Sequence, residues 1–172
     1  STVILRAGDR AHFVLRWGDG DEGALQATPD DSLRATREVW QSWVKRISYD
    51  GPQRTLVHRA AITLKLLDYL PNGAIVAAPP SSLPERVGGP RNWDYRYSWV
   101  RDAAFWVYAL LRVGVVDEAA NFLRWVLGTI QHDGRPRVLY NLDGKLPPHE
   151  AYDEELAGYR GSRPVRWGNA AA

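Results

Sequence analysis

The chain is 172 residues long, 45% hydrophobic and 24% charged, with a formal net charge of +2 and a pI near 9.0; these are globular values that exclude a disordered or fibrous chain. Its 22 Lys and Arg are scattered among 20 Asp and Glu rather than gathered in a stripe, which argues against a nucleic-acid partner. The absence of Cys excludes disulfides, thiolate catalysis and Cys-based metal sites, His12, His58, His132 and His149 lack ligand spacing, and neither a membrane-length apolar run nor a signal segment opens the chain. A soluble, cytoplasmic chain with no cofactor, no metal and no membrane partner is expected.

In chain order, Val3-Ile4-Leu5 and the run from His12 to Trp17 are β-branched and aromatic, with Gly8-Asp9 and Gly18-Asp19-Gly20 as turns, which predicts two short strands. Two strands alone are marginal, so they need a partner sheet or cover from the helices that follow. From about Ser32 the period turns helical, with Val39, Trp40, Trp43, Val44 and Ile47 on one face. Asp50-Gly51-Pro52 stops that helix and starts another, whose stripe Leu56, Val57, Ala60, Ala61, Leu64, Leu67 and Leu70 runs to Pro71-Asn72-Gly73. Its expected length is about eighteen residues, roughly 27 Å.

Residues 74–90 form a proline- and glycine-rich connector too long for a plain turn. Residues 91–102 (Arg-Asn-Trp-Asp-Tyr-Arg-Tyr-Ser-Trp-Val-Arg-Asp) then pack four aromatic rings and five charged side chains into twelve positions. Such a set suits a saccharide, whose C–H faces rest on rings and whose hydroxyls take charge-assisted hydrogen bonds. Composition equally fits a mixed loop with core rings and surface ion pairs. Ser98 is the expected N-cap of a helix to about Val113, with Phe105, Tyr108, Ala109 and Leu111 or Leu110 facing inward and Arg101 and Asp102 in the first turn.

A further helix is expected from Asp117 to Gln131 on the stripe Ala119, Phe122, Leu123, Val126, Leu127 and Ile130. Asp133-Gly134 and residues 141–144 bracket Arg137-Val138-Leu139-Tyr140 as a hairpin-like excursion. Residues 150–155 are acidic, 158–168 read as loop, and 169–172 look like the opening turn of another helix.

Three segments carry a resemblance: Ala-Ile-Val-Ala-Ala-Pro-Pro-Ser-Ser-Leu-Pro-Glu at 74–85, the 91–102 stretch with the ten residues after it, and Gly-Tyr-Arg-Gly-Ser-Arg-Pro-Val-Arg-Trp-Gly-Asn at 158–169. In order and approximate spacing they resemble glycoside hydrolase family 15, the glucoamylase, glucodextranase and bacterial trehalase group. The resemblance implies a mainly α fold, a partial (α/α)₆ barrel preceded by short β segments. Residues 1–31 would end an N-terminal β-sandwich, 32–50 would be a linker helix, and 51–172 would be the first part of the catalytic barrel. It implies a carbohydrate substrate, an α-glucoside, and the remainder of a parent chain as partner. No obligatory metal is implied, although phosphate or Mg²⁺ dependence occurs in the trehalase branch.

Inverting glycoside hydrolysis needs two carboxyls about 6.5 to 9.5 Å apart. Asp94, Asp102, Glu150, Asp153, Glu154 and Glu155 are available, but acids at helix starts and in acidic loops are ordinarily caps or solvated charge. The resemblance assigns none of them to catalysis, since the family's acid and base would both fall beyond Ala172. It assigns Tyr95, Trp99, Arg101 and Asp102 to the innermost glucose subsite, with Arg101 and Asp102 on the 4- and 6-hydroxyls, and it sets Arg163 and Arg166 toward the leaving-group side. Ser98 stands where family members often carry Cys. The expected function is thus part of an inverting exo-acting α-glucoside hydrolase, the chain itself being inactive. Two alternatives from other classes are a non-catalytic sugar-binding module and an α-helical interaction scaffold with tryptophan anchors.

Overall fold

The structure is a computed structural model and describes residues 2–15, 28–163 and 165–170, the side chain of Ser82 excepted. The chain divides into two units, Ser1–Lys45 and Arg46–Ala172.

In the first unit, residues 2–15 form no strand. Their one local feature is a turn in which Asp9 N donates to Arg6 O at 3.0 Å and Arg6 N to Asp9 Oδ2 at 2.8 Å. The strands expected at 3–5 and 12–17 are therefore not observed over the described part, Arg16 and Trp17 lying outside it. A strand exists only through its ladder, and no described segment here pairs with these residues, so Ile4, Phe13 and Leu15 stay exposed.

The first helix, α1, spans Pro29–Val44 and starts three residues before the expected Ser32. Its cap is Thr28, whose Oγ1 accepts from Asp31 N at 3.1 Å, with Pro29 in the first helical position and Asp30 and Asp31 at the positive end. Trp43 is its buried residue, whereas Val39 of the same predicted stripe is exposed.

In the second unit, α2 spans Arg54–Lys65, twelve residues and about 18 Å, shorter than the apolar period suggested. The stripe through Leu67 and Leu70 misleads because a hairpin takes over: β1 (Asp68–Tyr69) pairs antiparallel with β2 (Ala74–Ile75), matching Asp68 to Ile75. The hairpin turn ends at Gly73, at φ +83°, where an added Cβ would lie 2.9 Å from the backbone of Asn121. Only glycine lets the hairpin tip approach the helix that carries Asn121 so closely.

Beyond it, β3 (Ser81–Pro84) pairs antiparallel with β4 (Asn92–Asp94) through a bulge, so the long connector is itself a ladder strand. The next strand, β5 (Ser98–Trp99), leads directly into α3 (Val100–Arg112), and α4 spans Asp117–Asp133. The segment expected as a local hairpin supplies β6 (Leu139–Tyr140), which pairs with β5 instead. Farther along, β7 (Ala151–Asp153) pairs with β8 (Val165–Trp167), which also lies against β3 and β4. The residues expected to open a last helix lie partly outside the described chain, and Asn169 and Ala170 are not helical.

Both α2 and α4 pack on α3. The core is Ala103, Trp106, Val107 and Leu110 of α3 with Ala119, Phe122 and Val126 of α4, backed by Leu139 and Tyr140. Burial of each large member removes about 1.5 to 3 kcal/mol worth of apolar surface from water. This corrects the expected face of α3 at Phe105, Tyr108 and Leu111, which are exposed, whereas Leu110, the other expected choice, is buried. Both stripes of α3 are apolar, and the one carrying Trp106 is buried because its indole Nε1 finds an acceptor, Leu64 O at 2.7 Å.

The expected N-cap Ser98 is corrected too. It sits in β5, fully buried, and the cap position is Trp99, which makes no side-chain capping bond. Ladder pairing to Tyr140 keeps Ser98 extended one residue too early to cap.

One ionic cluster ties the unit together. The buried carboxylate of Glu118 in α4 accepts from Arg46 at 3.2 Å and lies 3.1 Å from Lys65 Nζ, which also pairs with Asp68. Two cations on one buried acid offset the cost of its desolvation. Thus the observed architecture is helices joined by two-stranded ladders. Among the described residues no helix is long and apolar enough to cross a membrane.

Candidate functional site

The aromatic stretch takes its shape from a turn: β4 ends at Asp94, whose side chain accepts from the backbone N of Arg96, and the chain re-enters a strand only at Ser98. Asp94 is 1% exposed and takes five donors. Its Oδ1 accepts from Arg96 N at 3.2 Å and Arg96 Nε at 2.8 Å, and its Oδ2 from Arg96 Nη2 at 2.8 Å, Tyr97 OH at 2.9 Å and Gly168 N at 3.2 Å. Burial alone would push this carboxyl up, but the hydrogen bonds from Arg96 and Tyr97 outweigh it and hold Asp94 below the usual carboxylate range. A group held ionised this way cannot serve as a proton donor near neutral pH. The same burial, followed by the Asp94 contact, pushes the Tyr97 phenol up.

Tyr95 meets Trp99, ring centroids 6.1 Å apart and tilted by 45°, while the Tyr97 ring lies 6.3 Å from that of Trp99. The connector is strapped along this segment, with Ala77 N donating to Tyr97 O at 2.9 Å and Ala78 N to Tyr95 O at 3.0 Å. From the other side β6 fixes the Trp99 backbone opposite Leu139, and Val100 N donates to Val138 O at 3.1 Å. Trp99 is therefore held by two segments remote in sequence.

A cavity of about 280 Å³ opens beside it, lined by Trp99 and Asp102 with Phe105, Trp106, Leu64 and Ile75 among its apolar walls. Asp102 lies in the first turn of α3, where the helix dipole favours its charge. Arg101 Nη2 donates to both Asp102 oxygens, at 3.3 and 3.1 Å, and both side chains are open to solvent. Trp99 and Asp102 thus share the cavity, with Tyr95 next to Trp99 and Arg101 paired to Asp102 outside its lining. Together the four offer rings for a C–H face, a carboxylate that accepts hydroxyl protons, and a guanidinium with donors to spare.

The other two sequence candidates are placed differently. Arg166 is buried in β8, its guanidinium 4.4 Å from the ring centroid of Trp93 and 4.5 Å from that of Tyr152, with Nη1 3.4 Å from Glu150. Here it bolts β7 to β4. Arg163 lends its carbonyl to Asn92 Nδ2 at 3.2 Å, and its side chain is exposed.

Of the candidate carboxyls, Glu150 partners Arg166, Asp153 Oδ1 accepts from Glu155 N at 3.1 Å in a local turn, and Glu154 and Glu155 are exposed. Among the described residues no group of three or more His, Asp or Glu could hold a metal ion. Sequence reasoning missed the structural weight of Arg96, Tyr97 and Gly168. The i, i+2 spacing of Asp94 and Arg96 was a readable signal for their pairing, whereas the Gly168 contact was not.

Residues 51–172 match the model of Glycosyl hydrolases family 15. The chain is 43% identical over 141 residues to a protein named Trehalase from Thermoplasma acidophilum, covering 81% of this chain and 24% of that one. It is 38% identical over 172 residues to Trehalase of Mycolicibacterium smegmatis, covering 97% and 26%, and 41% identical over 159 residues to Trehalase 1 of Sulfolobus acidocaldarius, covering 91% and 27%. The chain thus spans about a quarter of the length of the curated relatives it matches. No solved structure matches it significantly.

Proposed function

Because this chain belongs to glycosyl hydrolases family 15, we propose that it supplies the innermost glucose-binding subsite of an inverting, exo-acting α-glucoside hydrolase. The observation that carries this reading is that Trp99 and Asp102 line one cavity, with the Tyr95 ring tilted against Trp99 and Arg101 braced on Asp102. In this reading the indole takes an apolar sugar face, and the Arg101–Asp102 pair holds the 4- and 6-hydroxyls of a terminal glucose. That grip admits a chain end and rejects a chain interior.

The proposal places the acid and base in residues that follow Ala172 in the family pattern, flanking the scissile bond at about 6.5 to 9.5 Å. Asp94, saturated with donors, is poorly suited to either role. Residues 51–172 would form the opening part of an (α/α)₆ barrel, 1–31 the end of a β-sandwich and 32–50 the linker. Trehalose is the preferred substrate over maltooligosaccharides, because the relatives described above are named trehalases. Arg163 and Arg166 are proposed on the leaving-group side, Arg166 through the loop it anchors. A cytoplasmic location completes the reading, supported by the Cys-free composition.

Calorimetric titration of the chain with glucose and trehalose tests the subsite. Saturable heat that Trp99→Ala and Asp102→Asn each abolish is expected. Binding indifferent to both changes would overturn the reading.

A further inference from the structure

A second cleft, of about 710 Å³, opens between the β1–β2 turn, the segment after β6 and the end of β8, and none of its lining side chains lines the Trp99–Asp102 cavity. Its volume lies within the range typical of small-molecule sites, about 300 to 1,000 Å³. Two half-open rings stand on its walls, Tyr69 at 42% and Trp167 at 41% exposure. Among the described residues the Tyr69 hydroxyl, the Trp167 indole N–H and the Asn141 side-chain amide have no hydrogen-bond partner, so each can serve a ligand. Arg96 uses Nε and Nη2 on Asp94 and keeps Nη1 for the cleft.

The charges lining it are already matched. Arg96 is neutralised by Asp94 at 2.8 Å, and Asp143 by Lys145 at 3.3 Å. An anion would find no uncompensated cation, and a cation no free carboxylate. What remains is a pair of ring faces with neutral or compensated donors and acceptors around them, which is the complement of a polyhydroxylated, uncharged molecule. Asn72 cannot contribute much, since its amide already donates to Leu142 O at 2.7 Å and accepts from Ala74 N at 3.0 Å. It fixes the turn that carries Tyr69.

We propose that this cleft between the loops of α2 and α4 is a second saccharide-binding site, taking a neutral oligosaccharide on Tyr69 and Trp167 with Asn141 and Arg96 as its polar contacts. The site goes beyond the Trp99 subsite and stands on different side chains, so either can fail without the other. Arg96 and Tyr97 line the second cleft only and lie between β4 and β5, a few residues before Trp99, which makes the two sites neighbours in sequence.

The test is titration of the full chain carrying Trp99→Ala with maltotriose, followed by chemical-shift perturbation of the indole N–H signals, with inorganic phosphate as the anionic control. Saturable binding that shifts the Trp167 indole and weakens roughly tenfold with Asn141→Ala, the loss expected for a good polar contact, supports the proposal. Tyr69→Phe should weaken it less, and the changes at exposed Tyr69 and half-buried Asn141 serve should Trp167→Ala fail to fold. Absence of saturable maltotriose binding, affinity unchanged by Asn141→Ala and Trp167→Ala, or a phosphate-driven shift of the Trp167 signal would each overturn it. Loss of glucose binding on Trp99→Ala bears on the first subsite alone.

Discussion

Asp94 and Gly168, 74 positions apart, meet in a hydrogen bond of 3.2 Å from the glycine N–H to the buried carboxylate. The same N–H reaches Tyr97 OH at 3.1 Å. Through this contact the strand before Tyr95 and Trp99 and the strand that carries Arg166 share one anion.

Asp94→Asn keeps the shape and removes the charge. One amide oxygen cannot replace two carboxylate oxygens that together serve five donors, and the bidentate grip of Arg96 is lost. A loss of about 2 to 3 kcal/mol is expected from urea denaturation at neutral pH. A change within a few tenths of a kcal/mol would mean that the cluster is ornamental.

Acid should act through the same group. The folded pKa of Asp94 is lowered from an ordinary 3.8, so its contribution is complete above that value and disappears as pH falls through the lower folded value. Urea midpoints of the parent chain and Asp94→Asn should therefore differ at neutral pH and converge below about pH 3.8. Curves that stay parallel into that acid range would assign the acid limb elsewhere.

Neighbouring acids at the start of α4 should behave oppositely. Glu118 is buried between Arg46 and Lys65, while the Asp117 side chain is 80% exposed on the same Arg46. Glu118→Gln leaves two cations facing a neutral amide and should cost about 3 kcal/mol. Asp117→Asn should cost less than about 1 kcal/mol and fade with added salt. Thermal melts of the two variants compare them directly.

Two glycines with the same backbone separate conformation from crowding. Gly134 has φ +78° with open space around it, and Gly168 has φ +79° with His149 O 2.3 Å from where a Cβ would sit. Gly134→Ala should cost about 1 kcal/mol, the left-handed penalty alone. Gly168→Ala should cost clearly more and disturb the Asp94 contact, visible as altered near-ultraviolet circular dichroism from Tyr97 and Trp99.

What the sequence disclosed follows from what is local. Of the α4 stripe, Ala119, Phe122 and Val126 are buried as read, whereas Leu123 and Leu127 of the same stripe are exposed, so the period located the helix but overstated the width of its covered face. For α3 two apolar stripes competed, and the winner was decided by an acceptor on another helix, Leu64 O, which no periodicity displays. The early end of α2 had the same origin, since Leu67 and Leu70 continue the helical period while Asp68 and Tyr69 are claimed by Ala74 and Ile75. At the site, the residue types were legible and their partners were not. Tyr95, Trp99 and Asp102 could be named from motif order, yet the ladder from Trp99 to Leu139 pairs positions forty apart.

That ladder has a consequence for how the site comes into being. The ladder at Trp99 forms only when Leu139 is present, so in a growing chain that has just released α3 this segment is held from the connector side alone, through Ala77 and Ala78. The walls of the cavity all precede α4, but its second tether waits for the whole of α4 and the strand after it to be synthesised, and a ribosome stalled between the two leaves the Trp99 backbone without its ladder partner.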